Sequence, residues 1–288
     1  MGDRRASIYP VKRLGGYIVK TVTPQPFRYV EDSSEQFFAL FPHRYDYLFA
    51  EHPQPGQSPQ WQTERRHPLS DRVLQQGAYL YGVRFGSQTS YCVLDIDRGS
   101  VYHPKHDSLA IARLLDALET IDLTEPLICT SSYSGGLHLY FPLAESANSW
   151  TLAIALSTIL SNAGFEIRSG QLEILPNPKP YNPAAPSLFQ GHRLPLQAGS
   201  YLLNRDLEPV CTGRSHFVKQ WHLAQQHNTL SSSQLDQVLR QSLRRRYQVS
   251  NKAAKFLNDL NAEIELGWTG HGQTNRLLGR IALRTYVF

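Results

Sequence analysis

The sequence predicts an α+β fold in which helices cover one face of a mixed or antiparallel sheet. Three observations lead there: extended apolar runs of strand length fill the central block, two amphipathic helical patterns interrupt them, and the last quarter carries helical periodicity alone. The central order is hairpin, helix, strand, strand, helix, hairpin. That is the rhythm of ferredoxin-like and RNA-recognition-type sheets.

Taken in order, YIVKTV (17–22) reads as a strand after Gly15-Gly16, and residues 33–51 carry aromatic and aliphatic side chains at helical spacing. Residues 52–68, rich in Pro, Gln and charge, form an exposed loop, either functional or a solvated insertion. AYLYGVRF (78–85) and SYCVLDID (90–97) read as a β-hairpin. Residues 107–121 form an amphipathic helix, PLICTSS (126–132) and LHLYFPL (137–143) are strands, and 148–164 is a helix stopped by Gly164. FEIRSG and QLEIL (165–175) make a second hairpin, and residues 191–204 a last pair of strands.

From residue 214 three helices are expected, over 231–246, 251–267 and 273–288; the first opens on serine caps and closes in a cationic turn. Residues 1–213 then form one α+β domain and 214–288 a helical one. The chain stops inside its last helix without a cap or polar tail, so it is expected to be part of a longer protein.

Composition narrows the function classes. Hydrophobic residues are 41% and charged residues 18%, values of an ordinary globular protein. No apolar run is long enough to span a bilayer and the N-terminus lacks the apolar stretch of a signal peptide, so the expected location is the cytoplasm. Cys92, Cys129 and Cys211 are far apart, which fits buried reduced thiols and excludes a paired-cysteine zinc module. The absence of GxxxxGK[ST] excludes a P-loop motor in this segment. A formal charge of +5 permits contact with phosphates without requiring it.

Three short motifs carry candidate chemistry. Leu94-Asp95-Ile96-Asp97 ends an apolar strand, where alternation sends Asp95 and Asp97 out of one face side by side. Two such carboxylates repel unless a cation sits between them, and oxygen-only ligands suit Mg²⁺ or Mn²⁺. Alone the motif is weak: with 24 acids in 288 residues, chance gives about two pairs at this spacing.

The second motif is Ser132-Tyr133-Ser134-Gly135-Gly136-Leu137-His138. Small residues let backbone amides approach a phosphate, and the hydroxyls and imidazole add donors. The bland alternative is a glycine turn with a chance histidine.

The third is Gln171-Leu172-Glu173-Ile174-Leu175, an acid on an apolar strand, where an unpaired carboxylate is costly. A metal or a salt bridge to an arginine would each explain Glu173. Downstream, Gly191-His192-Arg193-Leu194-Pro195-Leu196 places the cation Arg193 on a strand of the same sheet.

The order DxD, SxSGGLHLY, then a strand acid resembles the archaeo-eukaryotic primase superfamily, over residues 69–203. The second motif is similar to those of ligase-associated polymerase domains and mobile-element primase-polymerases. EILPN…GHRLPL is similar to the segment around the third acid in the latter, and the chain also resembles replication proteins of cyanobacterial plasmids.

The resemblance implies an α+β primase-polymerase core in which Asp95, Asp97 and Glu173 hold two Mg²⁺ or Mn²⁺ ions. It makes His138 the contact to an incoming dNTP or NTP, supported by Ser132, Ser134, Gly135, Gly136 and Arg193. The implied reaction is template-directed nucleotidyl transfer on single-stranded DNA, with a primer strand and a helicase as partners, in plasmid or mobile-element replication. The chain departs from the pattern twice. Its glycine loop is one residue shorter than in many relatives and lacks their common Lys or Arg, which leaves Arg193 or His192 to do more of the phosphate binding. Its third acid is Glu rather than Asp.

Two further features are candidates for DNA contact: Arg244, Arg245 and Arg246 at a helix end, and Trp61 in the long loop as a base-stacking side chain. A solvated helix end and a tryptophan packed on its own domain are the commoner outcomes for such residues. Two other readings compete. Rolling-circle nicking needs a pair of histidines flanking one hydrophobic residue, and His138 is followed by Leu139-Tyr140-Phe141. A non-catalytic nucleic-acid-binding module would keep the fold and lose the acids, which here are all present.

Overall fold

A computed structural model describes residues 12–14, 17–19, 36–54, 57–132, 134–179, 187–210, 213–267 and 274–287. The elements begin with the strands β1 (Lys12–Leu14) and β2 (Tyr17–Val19), the short helix α1 (Gln36–Ala39), and the strands β3 (Tyr47–Ala50) and β4 (Gln62–Glu64). Next come α2 (Asp71–Gln76), β5 (Leu80–Val83), β6 (Gln88–Ile96), α3 (Ala110–Glu119), β7 (Leu127–Thr130) and β8 (Leu137–Asn148). α4 (Ser149–Asn162), β9 (Leu172–Leu175), β10 (His192–Arg193), α5 (Arg214–His227), α6 (Ser232–Leu266) and α7 (Thr274–Val287) complete the chain.

The segment β6-α3-β7-β8-α4-β9 folds into one four-stranded sheet in the order β7-β8-β6-β9, every pair antiparallel. This is the ferredoxin-like arrangement that the helix–strand rhythm predicts. Strand alternation gives the sheet two buried faces. Cys92, Leu94, Ile96, Leu139, Phe141, Leu172 and Ile174 pack beneath α3 and α4 against Leu114, Leu118, Leu152 and Leu156. Tyr91, Val93, Cys129, Tyr140 and Leu175 point the other way.

That second face is closed by Phe37 and Phe41, by Phe217 and Trp221 of α5, and by Tyr81 and Val83 of a second antiparallel sheet, ordered β10-β5-β3-β4. Its contacts are largely edge-on aromatic, such as Phe41–Trp221 and Tyr91–Trp221 at 5.5 Å. Each fully buried side chain of this size contributes about 1.5–3 kcal/mol. The ends of α4 are set locally: the Asn148 side chain accepts from the amides of Trp150 and Thr151, and Gly164 leaves the helix at φ 90°.

The structure corrects the element reading in several places, among them a strand, β4, within the expected loop 52–68 and a helix, α5, before the first of the three expected C-terminal helices. Of the helix expected over 33–51, the described residues 36–51 hold only the single turn α1: Pro42 follows it, Asp46 turns the chain at φ 52°, and Tyr47 and Phe49 then alternate as a strand. β5 and β6 are not a hairpin; each is an inner strand of a different sheet, and the chain crosses between sheets at residues 84–87. β5 is buried at every position, so no polar face tied it to β6. FEIRSG contributes only isolated bridges from Ile167 and Arg168 to Leu172, while β9 pairs with β6. β10 belongs to the second sheet, so Arg193 does not share a sheet with Asp95. The two helices expected over 231–246 and 251–267 are one, α6, because neither Gly nor Pro interrupts the intervening residues.

Residues 20–22, Cys211 and 268–273 lie outside the described residues. No helix of the described residues is long and apolar enough to cross a membrane.

Candidate active site

β6 is the middle of three strands and ends in the acidic pair. Asp95 stands opposite His138 of β8 on one side and Glu173 of β9 on the other. Directly opposed residues in an antiparallel ladder point to the same face about 4.5–5.5 Å apart. The three motifs, far apart in sequence, therefore meet in one row, His138–Asp95–Glu173, on the face that looks toward the second sheet. Asp97 follows one step beyond the strand, its amide donating to the Gln171 carbonyl at 3.4 Å.

The row is polar at the edge of an apolar interior. Asp95 and Glu173 are half-buried and Asp97 exposed, while His138 is buried at 5% exposure. Although the Asp97 side chain is exposed, desolvation by the neighbouring strand ends raises its carboxyl above the ordinary range, and the negative charge of Asp95 pushes the same way. Among the described residues Glu173 forms no ion pair, which removes the salt-bridge explanation for an acid on that strand there. Among the same residues no three His, Cys, Asp or Glu side chains converge into a preformed metal cluster. The donor set itself, three carboxylates with all-oxygen ligands, fits a hard divalent cation.

His138 is held from behind. Its Nε2 faces Asp95 Oδ2 at 3.5 Å and its Nδ1 faces the Tyr140 hydroxyl at 3.2 Å. Tyr140, fully buried, donates its one hydroxyl hydrogen to the Arg193 carbonyl at 3.1 Å. The hydroxyl oxygen thus accepts from Nδ1, which fixes the ring with Nε2 toward the acids. The Arg193 side chain is nearly buried, and its guanidinium donates to the carbonyls of Ala198 and, at 3.5 Å, Ser131.

The loop before His138 is closed by its own bonds. The Ser131 amide donates to the Gly136 carbonyl at 2.8 Å, and the Ser132 and Ser134 hydroxyls meet at 2.7 Å. Both glycines are required. Gly135 sits at φ 83°, and a Cβ on Gly136 would lie 2.8 Å from Ser131 Oγ and 3.1 Å from the Ile96 carbonyl. Gly136 therefore lets the loop touch the end of β6. Ser132, Ser134 and Arg193 line a cleft of about 450 Å³ whose far wall is His52, Gln57 and Ser58 of the long loop. Tyr133 lies outside the described residues.

The remaining candidates separate from this centre. His192 is buried with its Nε2 at 2.8 Å from the Tyr91 hydroxyl, and burial pushes its pKa down to about 3. It is a neutral core residue and not a phosphate-binding cation. Trp61 is 38% exposed beside β4 and is not part of the cleft wall. Arg244, Arg245 and Arg246 lie inside α6, and their side chains are outside the described residues.

Sequence reading passed over three neighbours of the site: Tyr140, Arg98 and His103. His103, buried, uses Nε2 to bond the Gly135 carbonyl at 3.0 Å, and Arg98 reaches the Ser134 carbonyl at 3.4 Å. One signal for them was legible: residues 98–106 carry Arg98, His103, Lys105 and His106 with no acid, directly after the acidic pair.

Several solved structures resemble the chain. Among them are the AEP domain of the cyanophage S-2L primase-polymerase (13% identity, 64% of this chain and 94% of that one, TM-score 0.30) and primase RepB′ (13%, 80% and 71%, TM-score 0.32). A third is the polymerase domain of Mycobacterium tuberculosis Ligase D in complex with DNA (14%, 72% and 86%, TM-score 0.36). No family model and no curated protein matches the sequence.

Proposed function

We propose that the chain is a metal-dependent nucleotidyl transferase of the primase-polymerase kind, adding nucleotides to a strand templated by single-stranded DNA. The observation that carries this reading is the row His138–Asp95–Glu173, with Asp97 one step on and the serine–glycine loop against the same strand end. In this reading Asp95, Asp97 and Glu173 hold two Mg²⁺ or Mn²⁺ ions. When bound, the ions would favour attack by a primer 3′-hydroxyl and neutralise the triphosphate charge.

The chain's own residues do the positioning. His138, oriented by Tyr140, turns Nε2 toward the phosphates of a dNTP or NTP and donates to them when both ring nitrogens carry hydrogen. Ser132, Ser134 and the cleft bounded by Arg193 and the long loop bind the rest of the nucleotide. Replication of a plasmid or other mobile element, beside a helicase, is the setting this activity fits.

The test is primer extension on single-stranded DNA with Mn²⁺ or Mg²⁺ and labelled nucleotides, against the Asp95→Ala/Asp97→Ala variant. Templated products that fall by about 10³-fold or more in the variant are expected, the scale of losing a main electrostatic stabiliser. Products without an annealed primer would make the enzyme a primase. A protein that binds DNA and synthesises nothing under any of these conditions would be a binding module, and the enzymatic reading would fail.

A further inference from the structure

The shortened glycine loop carries no Lys or Arg of its own, yet the structure sets a guanidinium against it. Arg98, exposed in the turn just after Asp97, packs its Cδ 3.6 Å from where a Gly135 Cβ would stand, and its Nη1 donates to the Ser134 carbonyl at 3.4 Å. Among the described residues Arg98 forms no ion pair, and as an exposed side chain it turns most of its five N–H donors to solvent.

The turn is tied to the loop by a second contact. The Lys105 amide donates to His103 Nδ1 at 3.2 Å, so the ring's hydrogen is on Nε2, which donates to the Gly135 carbonyl at 3.0 Å. Burial holds His103 below its ordinary pKa, and its bond to Gly135 opposes this. The charges of Lys105, His106 and Arg98 act with the burial, so all three lie within electrostatic reach of the ring that bonds the loop. Asp107, the next acid along the chain, is already paired with Arg113.

The geometry points to Arg98 as the phosphate-binding cation of this site, supplied from the turn after the acidic pair in place of the one the glycine loop lacks. The ligand chemistry is a polyphosphate, the triphosphate tail of the incoming nucleotide. Its charges would otherwise meet Asp95, Asp97 and Glu173 with the buried Arg193 already bonded to backbone carbonyls. The triphosphate is favoured over template phosphates because Arg98 touches the loop that leads directly into His138. The inference rests on the nucleotidyl-transfer reading of the same site.

The test uses the full chain and three probes: dATP and inorganic tripolyphosphate titrated by calorimetry, with EDTA and with Ca²⁺, and oligothymidylate titrated by fluorescence anisotropy. Arg98→Ala should weaken dATP and tripolyphosphate by roughly tenfold, the scale of one charge-assisted contact at a partly solvated site. Arg98→Lys should recover part of it, and oligothymidylate affinity should stay within about twofold. Because Arg98 is exposed, an unchanged melting temperature is expected for both variants.

Unchanged dATP affinity in Arg98→Ala, or a loss confined to oligothymidylate, would overturn the assignment. If wild type extends primers while Arg98→Ala keeps the wild-type KM for dATP, the inference fails and the nucleotidyl-transfer reading stands. If wild type binds neither dATP nor tripolyphosphate, both fall.

Discussion

The two faces of the ferredoxin-like sheet are built from the same strands and follow opposite rules. On the helix-covered face β6 contributes Cys92, Leu94 and Ile96, all without solvent exposure, and the apolar filling runs the length of the strand. On the other face β6 begins just as apolar, with Tyr91 and Val93, and then breaks pattern at Asp95. β8 breaks pattern opposite it at His138, and β9 at Glu173. One face is spent on stability throughout. The other is stable only until the strands reach the open end of the inter-sheet space, where three neighbours turn polar in the same row. A functional site here is a local interruption of a packing pattern, and adjacent residues of one strand should separate stability from activity.

The sharpest way to break this contrast is to change two consecutive residues of β6. Leu94→Ala removes a fully buried side chain and should cost about 2–5 kcal/mol of stability, read from urea unfolding. Activity per folded molecule should change little. Asp95→Asn should do the reverse: the melting temperature holds or rises, because Asp95 and Asp97 oppose each other's charge, while nucleotide incorporation collapses. If Asp95→Asn unfolds the protein, or Leu94→Ala abolishes activity in the folded fraction, the division of labour between faces is wrong.

A second, smaller effect sharpens the same contrast through pH. His138 and His192 both lie on the inter-sheet side, but His192 is sealed in the aromatic core, where burial pushes its pKa from 6.5 down to about 3. The unfolded chain takes up a proton near 6.5 that the folded chain refuses. Stability from this group is therefore complete above pH 6.5 and is lost as pH falls from there toward 3. The loss should approach 1.4 kcal/mol per pH unit inside that window. His192→Gln should flatten this slope between pH 6 and 5 in thermal denaturation, at the cost of a lower plateau at neutral pH. An equally steep slope in the variant would mean that other groups, such as His43 and His103, carry the acid sensitivity.

How much was legible in the sequence follows the same physics. Alternation and caps are local, so β6, β7, β8, α3 and α4 could be read from residue spacing, whereas the acids and His138 stood out only through the resemblance carried by the three motifs together. Sheet membership is not local. The run from Tyr79 to Phe85 looks like one arm of a hairpin, and only tertiary packing assigns it to another sheet. Phe37, Phe38 and Phe41 have helical spacing because they share an aromatic cluster with Phe217 and Trp221, not because a long helix carries them. Arg98 and His103 left only a compositional signal, a basic run without an acid: their role depends on a turn folding back onto the glycine loop, a contact with no periodic signature.

The finest probe of the contrast is Tyr140, which belongs to both regimes. Its ring is part of the aromatic core, packed near Phe41 and Phe217, while its hydroxyl links the Arg193 carbonyl to His138. Tyr140→Phe keeps the ring and deletes the link. The buried Arg193 carbonyl keeps only the His192 Nδ1 donor and the buried His138 Nδ1 loses its acceptor, so stability should fall by about 1–3 kcal/mol. The functional effect should be distinct from that loss. With Nδ1 unanchored, His138 no longer has one orientation toward Asp95, and the KM for dNTP should rise severalfold with a smaller change in kcat for primer extension. A purely structural tyrosine would lower the melting temperature and leave that ratio where it is. An unchanged KM in the folded variant would therefore place Tyr140 wholly with the core, and leave His138 to be oriented by Asp95 alone.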